Sequence, residues 1–63
     1  MNQEQLLSKE QVAKLLNVKM DWINSAIFKK QIPFIKIGKH IRFCPKQITK
    51  WIEERQIQED SWN

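Results

Sequence analysis

Chemistry in this chain is carried by cations, not by nucleophiles or metal ligands. His40 and Cys44 are its one histidine and one cysteine. No third residue completes them into a nucleophile–base set or a metal site. The neighbouring carboxylates Glu53-Glu54 and Glu59-Asp60 have no pocket-forming pattern around them, and no glycine-rich phosphate loop occurs. Between Trp22 and Ile52, however, stand seven Lys or Arg and no Asp or Glu. All seven acids fall in residues 4–21 and 53–60. Cations gathered without carboxylates to neutralise them suit a polyanion, and nucleic acid is the commonest. A merely solvated face is the weaker reading, because such faces mix both signs. This unevenness is more informative than the formal net charge of +4. The expected protein is non-catalytic, with no cofactor and no metal.

The elements that position these cations are legible in short runs. Phe34-Ile35-Lys36-Ile37-Gly38-Lys39-His40-Ile41-Arg42-Phe43 alternates apolar and cationic residues on both sides of a glycine. Period-2 alternation is the mark of strands with one buried face. The expectation is a hairpin with Ile35, Ile37, Ile41 and Phe43 inward, and with Lys36, Lys39, His40 and Arg42 on the outer side and tip. Gly38-Lys39 suits a type II′ turn, with glycine first.

Upstream, Ser8-Lys9-Glu10-Gln11 has the capping-box form. Val12, Leu15 and Leu16 recur at helical spacing, predicting a helix over 9–16 that Leu7 staples across its cap. Asn17 suits the left-handed residue that ends it. A second helix is expected from Met20 to about Lys29, burying Ile23, Ala26 and Ile27 and exposing Asp21, Asn24, Ser25 and Phe28. Ile32-Pro33 stops it. Pro45 suits the first turn of a third helix with Cys44 as a poor cap. Its apolar stripe is Ile48, Trp51 and Ile52, with Trp51 in the core, and the helix fades through Glu53–Glu59. Met1–Gln5 reads as a frayed start.

Size and composition bound the rest. Sixty-three residues hold one core, of which about 3–5 kcal/mol of net stability is expected. A hydrophobic content of 41% is too high for a disordered basic tail. Leu6-Leu7 is too short for the apolar region of a signal peptide, and no run reaches membrane-spanning length. A cytoplasmic bacterial or phage-like setting is the default expectation.

Taken in order, these pieces resemble the excisionase-type, MerR-like winged helix-turn-helix family. The residues carrying the likeness are Leu7-Ser8, Glu10 to Leu16, Asn17-Val18, Ile32-Pro33, Lys36-Ile37-Gly38, Ile41-Arg42-Phe43 and Ile48 with Trp51-Ile52. No single piece is specific; their order and spacing are. The resemblance implies an α+β fold: a helix-turn-helix, a β-hairpin wing and a C-terminal helix over residues 6–56, followed by an acidic tail, 57–63. It further implies DNA binding, with the second helix in the major groove and the wing over the adjacent minor groove or backbone. Members serve mobile genetic elements as excisionases, small regulators and accessory proteins.

On this reading Lys36, Lys39, His40 and Arg42 contact DNA from the wing, although His40 is equally well an idle surface imidazole. Lys19, Asn24 and Ser25 meet the duplex from the second helix, Lys29 and Lys30 flank it, and Lys46 and Lys50 extend the basic face. Three departures from the family pattern stand out. Lys19 occupies the cap slot where Ser is usual, Asp21 repels phosphates, and Trp22 replaces a small polar residue. They keep open a second class: an adaptor subunit for a larger polymerase, primase or recombinase, with single-stranded DNA as a further ligand. Trp22, Phe28 and Trp62 would then be partner-binding aromatics, the alternative being local packing. The tail, with Ile57 and Trp62, reads as a frayed helix end or a docking strip. Duplex DNA is the expected partner, self-association on it a further one, and no membrane is involved.

Overall fold

The computed structural model describes residues 5–57. Its elements run α1 (Lys9–Leu16), α2 (Met20–Phe28), β1 (Ile35–Ile37), β2 (His40–Arg42) and α3 (Pro45–Glu54). The architecture is a small α+β winged helix-turn-helix. The proposed docking of Trp62 and the acidic run Glu59-Asp60 lie outside the described residues.

The start of α1 is held as its residues dictate. Gln11 N–H donates to Ser8 Oγ at 3.1 Å, and Ser8 N–H donates to Gln11 Oε1 at 2.8 Å. This reciprocal box satisfies two helix-end donors. Asn17 closes the helix in the left-handed conformation, at φ 59° and ψ 48°. The Asn17 and Val18 amides then turn back onto the Lys14 and Ala13 carbonyls, a Schellman closure. The second helix ends one residue before the expected Lys29, and by the same device. Lys30 sits at φ 56°, and the Lys30 and Gln31 amides return to Ile27 and Ala26. Lysine gives no sequence signal for this backbone, which favours Gly or Asn.

The core draws one or two residues from each part: Val12 and Ala13, Ile23 and Ala26, Ile32, Phe43, and Ile48. Leu7 packs against it, consistent with its stapling role, as do Val18, Ile27, Phe34, Ile41 and Trp51. Phe43 is tied in twice. Its side chain is fully buried, while its backbone exchanges two 2.8 Å hydrogen bonds with Leu7. That antiparallel bridge attaches the segment before α1 to the wing, a link the sequence did not suggest.

The hairpin faces differ from expectation. Ile35 pairs with Arg42, Lys36 with Ile41, and Ile37 with His40. Residues directly opposite share a face. Ile41 faces the core with Lys36 across from it, whereas Ile35 and Ile37 stand on the outer face beside Arg42 and His40. Each strand alternates, but the two alternations are out of phase across the two-residue Gly38-Lys39 turn. One more turn residue would have set Ile37 opposite Ile41 and given the expected arrangement. Instead Ile37 is 50% exposed. The turn itself is as expected: φ is positive at Gly38 and not at Lys39, as in type II′. Space around Gly38 is open, so backbone conformation and not crowding requires glycine there.

The third helix starts at Pro45 from an extended Cys44 that makes no side-chain cap. Of its expected stripe only Ile48 is buried. Trp51 is half-buried and Ile52 is 38% exposed, because the core is too small to cover the last turn. Replacing Phe43 by Ala should cost about 3–5 kcal/mol, comparable to the stability of so small a domain. The expected outcome is loss of the cooperative thermal melt followed by circular dichroism. Ile52→Ala should leave that melt nearly in place.

Candidate nucleic-acid interface

Helix α2 presents three faces. Ile23, Ala26 and Ile27 point to the core. Asp21, Asn24, Ser25 and Phe28 share the solvent face, since positions three and four apart are neighbours on a helix. Trp22 lies on the flank toward α3. The solvent face carries no cation; positive charge stands at the two ends, on Lys19, Lys29 and Lys30, all exposed.

At the N-terminal end, Lys19 is extended and offers no side-chain hydrogen bond to the helix. An ammonium has no acceptor for the free amides and sits unfavourably at the positive end of the helix dipole. Asp21 in the first turn offsets that charge. Asn24 is held from α1: Lys9 Nζ donates to Asn24 Oδ1 at 3.0 Å. Because an ammonium only donates, the amide oxygen must face Lys9, which turns the Asn24 NH2 outward as a donor. Lys9 was not singled out in the sequence, since the pair is separated by a helix and a turn.

On the wing, Lys39 is at the tip and Lys36 and His40 are exposed beside it. Arg42 does not join them. It is half-buried on the outer face, and its Nη1 donates to the Ile41 carbonyl at 2.8 Å. The register therefore splits the expected group: Lys36 with Ile41 on one face, His40 and Arg42 on the other, Lys39 between. On α3, Lys46 is exposed, while Lys50 borders a shallow depression with Pro33, Gln47, Trp51 and Glu54. Among the described residues, Arg55 with Glu54 at 4.0 Å is the only ion pair. Among the described residues, then, no carboxylate lies within 4.0 Å of the Lys and Arg of the wing, α2 and α3 up to Lys50.

The aromatic residues divide as well. Phe28 is 85% exposed on the solvent face of α2. Trp22 meets Trp51 edge to face, with ring centroids 6.4 Å apart at 64°. Trp51 Nε1–H donates to the Gln31 carbonyl at 2.9 Å, and the Arg55 guanidinium lies 4.3 Å from the Trp51 ring centroid. Arg55 follows Trp51 by one helical turn, a spacing visible in the sequence.

Residues 6–56 match the family model of the helix-turn-helix domain. No curated protein and no solved structure matches the chain.

Lys19→Ser should supply the missing cap and remove the cation from the helix start, raising stability by about 1 kcal/mol. The expected readout is a melting temperature higher by roughly 4–8 °C. If Lys19 also meets a phosphate, the same variant binds duplex DNA more weakly.

Proposed function

The chain belongs to the helix-turn-helix domain family, and from that premise we propose that it is a non-catalytic, excisionase-like accessory protein or small regulator of a mobile element. It acts in the cytoplasm on duplex DNA in recombination or regulation. One observation carries the reading. Lys36 and Lys39 on the wing and Lys19, Lys29 and Lys30 at the ends of α2 are all exposed. Within the described residues none has a carboxylate within 4.0 Å. Phosphate neutralisation by such cations supplies most of the affinity of DNA-binding proteins and fixes their register on the duplex.

The geometry supports a division of labour. The solvent face of α2 offers polar groups to base edges: Asn24 NH2 as a donor, the Ser25 hydroxyl as either, and Asp21 as an acceptor suited to cytosine N4. With Oδ1 engaged by Lys9, Asn24 favours acceptor edges over the donor–acceptor pair of adenine. Asp21 adds an anion to the first turn of α2, so its backbone contacts fall mainly to Lys29 and Lys30 at the other end and to the wing. His40 and Arg42 lie on the other face of the wing from Lys36 and contribute less. Lys46 adds charge from α3. A single domain of this size covers little DNA, so cooperative self-association on the duplex fits the reading.

Binding to a duplex across a salt series tests the wing. The Lys36→Ala/Lys39→Ala variant should flatten the slope of log K against log salt by about 0.9 per lost contact. Arg42→Ala should change it less. An unaltered slope in a folded double variant would place the phosphate contacts elsewhere. Asn24→Ala/Ser25→Ala should remove preference for a specific site over scrambled duplex, by about 1–3 kcal/mol for each lost base contact.

A further inference from the structure

The flank of α2 toward α3 carries a cleft distinct from both the solvent face of the helix and the wing. It is lined by Trp22, Lys30, Gln31, Trp51 and Arg55 and encloses roughly 420 Å³. That lies within the span of about 300–1,000 Å³ typical of small-molecule pockets. Its two indoles are fixed differently. Trp51 is held by its bond to Gln31 and covered on one side by the Arg55 guanidinium. Trp22 is braced edge-on by Trp51 yet remains 43% exposed. The braced indole is therefore part-exposed at a fixed angle to Trp51, in a cleft that two cations, Lys30 and Arg55, also line. Glu54 lies 4.0 Å from Arg55, and both side chains of the pair are more than half exposed; among the described residues no carboxylate lines the cleft itself.

We infer that this cleft is a subsite for single-stranded DNA, in which one base stacks on Trp22 and Lys30 and Arg55 hold the flanking phosphates. An aromatic surface bordered by cations reproduces the alternation of base and phosphate along an unpaired strand. A paired base keeps both π-faces inside its stack, so a duplex cannot use the indole this way. A peptide is the poorer fit. Neither strand lines the cleft, so no sheet edge is available to pair with an extended backbone. Gln31, the neutral polar residue of the lining, already gives its backbone carbonyl to Trp51. The site adds to the proposed duplex surface and does not depend on it.

Tryptophan fluorescence of the full chain, titrated with an eight-nucleotide oligothymidine at low salt, reads the subsite. Saturable quenching is expected. Trp22→Ala should weaken binding at least about five-fold, since each stacked base contributes about 1–3 kcal/mol. Trp22→Phe, which preserves a ring against Trp51, should retain most of it. Lys30→Gln and Arg55→Gln should each reduce the salt slope by about 0.7. Affinity for a blunt duplex should be unchanged in Trp22→Phe and Arg55→Gln, while the Lys36/Lys39 wing variant loses duplex binding and keeps the oligothymidine. Equal oligothymidine affinity in wild type, Trp22→Ala and Arg55→Gln would overturn the proposal. So would absence of quenching in the folded wild type, or quenching only by an acidic tryptophan-containing peptide used as a competing probe.

Discussion

Everything in this small domain hangs on the placement of Phe43. Its ring fills the centre of the core, and its amide and carbonyl pair with Leu7. One residue thereby joins the segment before α1, the end of the wing and the packed faces of α1 and α2. Helices of eight, nine and ten residues are too short to persist alone in water. They are ordered by burial of Val12, Ile23 and Ile48 around Phe43. The wing is likewise a two-stranded ribbon that is marginal by itself. Seating it through Phe43 gives its cations a fixed position relative to α2.

Two left-handed residues, Asn17 and Lys30, set the angles at which the chain leaves α1 and α2. Asn17 turns the chain within a few residues, so that α2 packs across α1 with Val18 on the core. Lys30 redirects it so that Ile32 is buried and the wing can begin. At Lys30 the strain of a non-glycine residue coincides with an exposed cation at the end of the proposed recognition helix. A residue chosen for stability alone would be glycine there; lysine keeps a charge where phosphates are proposed to lie.

Helix α2 concentrates the functional tension of the molecule. Its core face is apolar, its solvent face carries three polar residues and Phe28 but no cation, and its flank holds an exposed indole braced by Trp51. A cation at its cap and none on its solvent face separate phosphate attraction from base recognition. The wing and helix ends supply the first; Asn24, oriented by Lys9, and Ser25 are placed for the second. The flank, with Arg55 and Lys30, offers a chemistry neither of those surfaces has.

The sequence by itself determined the local grammar: the Ser8–Gln11 box, the Asn17 stop, the Gly38 turn, the Pro45 start and the periodicities that make this a winged helix-turn-helix. Each depends on neighbours within a few residues, so each is written in adjacent letters. The carboxylate-free window was also plain, since it needs no fold to be counted. Tertiary structure alone decided which cations stand together. Alternation in Ile35–Ile37 and Ile41–Phe43 was readable, but the phase between the strands depends on turn length and pairing, and it moved Ile35 and Ile37 outward and parted Lys36 from Arg42. Contacts between distant residues were equally hidden: Leu7 with Phe43, Lys9 with Asn24, Trp22 with Trp51, Gln31 with Trp51. They arise only once the core fixes how the helices cross, and periodicity along one element carries no information about the angle between two.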